Sequence, residues 1–356
     1  MNKKVEELQE YRNNTAISQS ELKKVLTNDT TPFDNKKKVH LMVGSLVDCL
    51  LTTPECLDEW FYISQITKYP KPQYKETFDR YYQMLVDNDL GIEFDNFSLL
   101  QIFREVSNVN TGDDKVIEAL WKEEEYWNDL LIANGRQIVS QDYWNKCNVV
   151  AQSLLTNPIT ANYFKSDLFV EVDFQVPLYW TYTDLQEGWT EECKGLADIR
   201  IIDHHNKTIQ FPDVKTTSDS LITWKKNVAR KYRYDIQGAY YYYGACQWAK
   251  QHYPDYTVKL PCFIVENVNY PSKPRIFEMT LDDIFIGTYG CDREKSRLIL
   301  NMDISGNHLD VSWEMDRIQG WQDAMNILHQ AKLLGLPDWD IDYHRNQGKS
   351  TLDLWL

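Results

Sequence analysis

Residues 194–245 constrain this chain more than any other stretch, because their pattern admits one local order: strand, tight turn, strand, loop, long helix. Residues 197–202 are rich in β-formers, and 208–214 form a second such run. Between them His204, His205, Asn206 and Lys207 make a short polar turn, so the two runs read as a hairpin. Alternate residues of a strand share a face. Asp213 and Lys215 therefore stand side by side with Val214 opposite, and Asp198 on the paired strand comes close to Asp213. Two carboxylates and an amine converging at strand ends suit a metal site that hydrolyses a phosphodiester. The same D-x-K spacing at Asp34–Lys36 and Asp113–Lys115 reads as surface charge. Asp213–Lys215 differs in context: it closes an apolar strand, follows a hairpin carrying another Asp and precedes a basic helix. Pro212 cannot donate to a ladder, so it is expected at a bulge or irregular strand end that aims Asp213 towards the metal.

The helix after Thr217 is predicted over about 221–251. In it Arg230, Tyr234, Gln237 and Tyr241 fall at helical spacing and share one face, which presents a cation, a phenol and an amide to phosphates. Lys225, Lys226, Arg230, Lys231 and Arg233 have no acid among them. With Tyr234 they form the candidate DNA-binding surface. Net charge is −15, so any surface for nucleic acid has to be local.

Asp198 after Lys194-Gly195, then Asp213-Val214-Lys215-Thr216, then Tyr234, Gln237 and Tyr241 resemble, in order and spacing, the core of the PD-(D/E)XK nucleases. The resemblance is closest to the RecE-type phage exonucleases. It implies an α/β fold with a restriction-endonuclease-like core, a mixed β-sheet flanked by helices, and an extra N-terminal helical region. A second point of resemblance is the helix predicted over 37–52, apolar at 39, 43, 46, 47, 50 and 51 and stopping near Thr53-Pro54. The family carries a Gly and then a metal-ligating His on this helix. Here Gly44 is followed by Asp48 in the His position, an oxygen donor that suits Mg2+ or Mn2+.

By the same resemblance Asp198, Asp213, the Val214 carbonyl and Asp48 hold Mg2+, with Mn2+ as the alternative. Lys215 orients the attacking water or stabilises the pentacovalent state, and Gln237 and Tyr241 position the phosphate or Lys215. Glu171, on the strand expected within 167–183, is a further candidate. The implied substrate is linear double-stranded DNA, degraded from its end one strand at a time. A single-strand annealing protein is the implied partner, phage-type recombination the setting, and a homo-oligomer the assembly. Residue types and spacing alone support only a metal-dependent phosphodiesterase. An endonuclease or defence nuclease on the same core, and a non-catalytic DNA-binding protein, stay open.

The seven cysteines are scattered, with no C-x-x-C, which points to a reducing cytoplasm and away from an iron–sulfur cluster or zinc site. No nucleotide cofactor is expected. No apolar run reaches the roughly 18 residues a membrane span needs, and the N-terminus lacks the apolar core of a signal peptide. The chain divides into a mainly helical part (1–165), the catalytic core (166–310) and a C-terminal helix and tail (311–356). Helices are expected near 73–88, 97–107 and 114–132, a block in which no chemistry is evident. Strands are expected at 258–266 and 274–280, helices near 281–300 and 315–334, and a loop at Ser305, Gly306 and Asn307.

Overall fold

The computed structural model describes residues 2–27, 39–90, 95–292 and 317–336. Helix α1 (Lys3–Asn13) leads through a two-residue strand, β1 (Ile17–Ser18), into α2 (Gln19–Leu26). Glu21 closes the start of α2, accepting hydrogen bonds from the Ser18 backbone and hydroxyl, both at 2.7 Å. Helix α3 (Val39–Thr52) ends where Pro54 opens a 3-10 turn, and a short α4 (Leu57–Trp60) leads into β2 (Phe61–Ile63).

The block that follows has its own core. Helices α5 (Pro72–Asp87), α6 (Asn96–Val106), α7 (Asp113–Trp121) and α8 (Glu124–Ala133) bury Phe78, Tyr81, Leu99, Phe103, Leu120 and Trp127 together. The single helix expected near 114–132 is two, broken at Lys122 and Glu123. Strand β3 (Gln137–Val139) then returns alongside β2 in parallel, so the block enters and leaves through neighbouring strands. Helix α9 (Gln141–Thr156) follows.

Two long antiparallel strands, β4 (Val170–Thr183) and β5 (Thr190–Asp203), form the centre. Strand β6 (Thr208–Gln210) folds back on β5 through the expected turn, and β1 pairs with the other end of β5 in parallel. The second half of the hairpin is shorter than expected. It stops at Gln210, and after Phe211 and Pro212 the chain resumes as β7 (Asp213–Thr217) in a different sheet. Pro212 has no N–H to donate, so it stands at the break between two strands.

The helix expected over 221–251 is also interrupted. A π-helical turn (Lys225–Ala229) is followed by irregular backbone that ends at Arg233 in the left-handed region (φ 50°). Only then does α10 (Tyr234–His252) begin. Arg230 therefore does not share a continuous helix face with Tyr234, Gln237 and Tyr241. No Gly or Pro marks this break in the sequence.

Strand β8 (Thr257–Val258) adds to β6 in parallel. Strand β9 (Cys262–Asn267) pairs in parallel with β7 and antiparallel with β10 (Arg275–Glu278). Helix α11 (Leu281–Tyr289), the short pair β11 (Cys291–Asp292) and β12 (Arg317–Ile318), and α12 (Trp321–Leu333) complete the described chain. The second half of the helix expected near 281–300, the loop at Ser305–Asn307, the D-x-K pair at Asp34–Lys36 and the tail beyond Leu336 lie outside the described residues.

The fold is mixed α/β, with a mixed sheet flanked by helices. Leu178, Trp180 and Ala197 of β4–β5 pack in one cluster with Tyr240 of α10 and Trp321 of α12. Ile199 packs in a second with Leu46, Val47 and Val150 of α3 and α9 and with Ile264 of β9. Among the described residues, no helix is long and apolar enough to cross a membrane.

Candidate active site

The seam between the two sheets gathers most of the chemistry-bearing side chains. Asp198 lies on β5, and its Oδ2 accepts a hydrogen bond from the Val214 N–H at 2.9 Å, tying β5 to β7 across the break at Pro212. On β7, Val214 packs inward with the α3–α9 core. Asp213 and Lys215 flank it and form an ion pair with each other. Gln237, in the first turn of α10, donates its Nε2 to Asp213 Oδ1 at 2.6 Å. One turn on, the Tyr241 hydroxyl accepts from the Leu196 N–H at 3.3 Å, which fixes α10 beside the Asp198 strand. Gly195 makes this approach possible: a Cβ there would lie 3.2 Å from the Tyr241 ring. Gln237 thus holds Asp213 and Tyr241 holds the strand; the described contacts of neither include Lys215.

Asp48 reaches the cluster from α3 through a residue the sequence did not single out. Gln175 of β4 donates its Nε2 to Asp48 Oδ2 at 2.9 Å and to Asp198 Oδ1 at 3.5 Å. It stands opposite Asp198, at the one point where the β4–β5 ladder is interrupted, and its backbone is left-handed (φ 47°). Glu171, expected at the site, is four residues away on the same strand. It pairs with Ile202, and its carboxylate is 58 % exposed and lies 3.1 Å from His204 Nε2. Both residues share the polar side of the alternation, so parity along the strand could not tell them apart. Gln175 carries no signal in composition either, because its left-handed backbone is not marked by Gly or Asn.

The electrostatics follow from three acids around one amine. Burial, then the charge of Asp213, pushes the Asp48 carboxyl up to about 7. Burial, then Asp213 and Asp48, holds Asp198 well above the usual carboxylate range. Asp213 is also raised by burial, opposed by Lys215. Burial pulls the Lys215 amine down, but the charges of Asp213 and Asp198 outweigh it and hold the amine above its ordinary value. With all three carboxylates ionised the cluster would carry more negative charge than Lys215 neutralises, so a further cation would favour the ionised form.

The donor chemistry suits Mg2+ or Mn2+, since Asp48, Asp198, Asp213 and the Val214 carbonyl offer only hard oxygen. Among the described residues, no three His, Cys, Asp or Glu side chains are grouped as a ready metal cage. Gln175 stands between Asp48 and Asp198, and Lys215 engages Asp213. Asp48, Gln175 and Asp198 open on a cleft of about 2210 Å³ that is also lined by Trp60 of α4 and by the helical block, including Lys75 and Arg80. Behind Asp198, Asp213, Gln237 and Tyr241 lies a cavity of about 20 Å³, room for one water.

The basic segment sits apart from the cleft. Lys225, Lys226 and Lys231 are exposed and Arg230 is half-buried, but none of them lines it. Arg233 is held by Asp235 at 2.8 Å and by the Gln319 carbonyl at 2.9 Å. Tyr234, expected on the DNA surface, is instead a wall of the site. It stacks on Phe263 with centroids 5.4 Å apart, and the Lys215 amine lies 5.3 Å from its ring centre.

No family model matches the chain, and no curated protein does. Among solved structures the chain is similar to a protein from Eubacterium rectale provisionally described as an exonuclease. The identity is 12 %, over 59 % of this chain and 71 % of that one, with a TM-score of 0.27. It is also similar to SSO0001, at 11 % identity over 65 % of this chain and 85 % of that one, with a TM-score of 0.22. Likenesses at this level carry no argument about shared activity.

Proposed function

We propose that this chain is a metal-dependent deoxyribonuclease of the PD-(D/E)XK type, acting on linear double-stranded DNA from its end. The observation that carries the reading is the convergence of Asp198, Asp213, Lys215 and Gln237 at one seam, from three separate elements. A phosphodiester repels an incoming hydroxide and has a poor alkoxide leaving group. Asp198, Asp213 and Asp48, with the Val214 carbonyl, would hold Mg2+ (Mn2+ in its place), which when bound supplies an acidified water and offsets charge on the phosphate. Lys215 places a fixed ammonium where negative charge builds up in the transition state. Gln237 holds Asp213 in place, and Tyr241 holds the Asp198 strand. Asp48 and Asp198 line a cleft of about 2210 Å³, which the reading takes as the approach for the substrate. The same reading assigns Lys225, Lys226 and Lys231 to flanking duplex, and it brings an annealing protein, self-association and a cytoplasmic, phage-type recombination role with it.

A second reading, a DNA-binding protein without activity, is favoured by one feature: the Gln175 amide lies between the two carboxylates that would share a cation. The test is incubation of the purified protein with linear and covalently closed circular duplexes of one sequence in Mg2+. The expected result is loss of the linear form alone. Cutting of circles would replace the end-dependent reading with an endonuclease. Binding with no cutting in Mg2+ or Mn2+ would favour the second reading.

A further inference from the structure

Gln175 is 5 % exposed and sits in the middle of a long strand, yet its backbone is left-handed. Such a conformation is strained for a residue with a Cβ and persists only where its surroundings impose it. Two contacts do so here. Its carbonyl, turned out of the β4–β5 ladder, accepts a hydrogen bond from Lys4 Nζ of α1 at 2.9 Å. Its side chain, turned inward, sends one amide nitrogen to Asp48 at 2.9 Å and to Asp198 at 3.5 Å. An amide has a donor end and an acceptor end, and two carboxylates can accept only from the donor end. The NH2 group therefore occupies the place between two oxygens where a small divalent cation would bridge them. Among the described residues it alone hydrogen-bonds both carboxylates, and the Lys215 ammonium pairs with Asp213.

We propose that Gln175 is a removable amide bridge, which holds Asp48 and Asp198 together in the cation-free protein and is displaced when a divalent cation binds between them. The proposal rests on the reading of those two carboxylates as cation ligands. Gln175 is then a positioning residue. It ties α3 to β5 in the cation-free protein, and it competes with the cation for the same oxygens.

The test uses the full chain, as wild type, Gln175→Ala and Gln175→Gly, with Mn2+ as the probe. Thermal unfolding with and without Mn2+ is paired with calorimetric titration of Mn2+. Alanine removes the amide and keeps the left-handed strain, whereas glycine removes both, so a shared effect belongs to the amide. The expected result is a lower melting temperature in both variants without Mn2+, a larger Mn2+-induced rise than in wild type, and Mn2+ binding on the order of tenfold tighter. A purely structural role would lower the melting temperature equally with and without Mn2+, and that outcome overturns the proposal. Weaker Mn2+ binding in both variants overturns it too, since it would make Gln175 a ligand and not a competitor. If the wild type binds no Mn2+ at all, the reading of the carboxylates fails and the bridge fails with it; a wild type that binds beside variants that gain nothing sinks the bridge alone.

Discussion

Asp48 links the charge of the site to the stability of the whole chain. Its carboxyl is pushed up to about 7 by burial and by the charge of Asp213, against about 3.8 in an unfolded chain. Between those values the unfolded chain has released the proton and the folded chain still holds it. Stability from this group is therefore lost as pH rises from about 4 to about 7, and the loss levels off above that. Asp48→Asn removes the dependence, because the side chain no longer ionises. Urea unfolding should show the variant more stable than wild type at pH 8 without metal, on the order of 4 kcal/mol, with little difference at pH 4. A variant less stable than wild type at both values would show that the carboxylate is not under this strain. Asp198, Asp213, Lys215 and Gln237 were legible because short spacings fix which residues share a strand face or a helix turn. Gln175 was not, because nothing in a sequence marks a glutamine that adopts a left-handed backbone. Glu171 is the candidate that the resemblance supplies on this strand, and alternation gives the side of a strand and not the distance along it.

Elements bring these residues together through two interruptions. Pro212 ends one strand and lets Asp213 begin another in a second sheet; the proline made that interruption readable. The break before α10 was hidden, because Arg233 takes a left-handed conformation that its ion pair with Asp235 accompanies. The start of α10 is held tightly, since a Cβ on Gly287 of α11 would lie 2.2 Å from the Asp235 carbonyl oxygen. That contact is with backbone and cannot be relieved by a rotamer change. Gly287→Ala should destabilise the protein by about 2–3 kcal/mol, as overpacking does, read as a fall in melting temperature by calorimetry. The first turn of α10 also carries Gln237, so nuclease activity should fall with it. An unchanged melting temperature would mean that the two helices are less closely seated than this contact requires.

At the scale of the whole molecule, the proposed function requires an acidic chain to approach a polyanion. The sequence pointed to residues 225–233 as the local exception, but the wide cleft beside the acids is bounded by the helical block, where no chemistry was evident in the sequence. That cleft joins segments far apart in the chain, which spacing rules cannot see. Its cations are partly spent, with Lys75 on Asp79 at 2.6 Å and Arg80 on Glu76 at 2.6 Å. Few phosphates should therefore be neutralised, and DNA affinity measured without divalent metal should fall only shallowly with salt, by about one to three units of slope on logarithmic axes. A steep dependence would move the DNA surface elsewhere. The central claim, that the seam is a hydrolytic site, is tested most directly by one comparison: release of nucleotides from linear duplex DNA in Mg2+ by wild type and by Lys215→Ala, each repeated with EDTA. Wild type should degrade the DNA, EDTA should stop it, and the variant should be slower by on the order of a thousandfold while keeping its fold by circular dichroism. A variant as fast as wild type, or a wild type that leaves the DNA whole, would contradict the account.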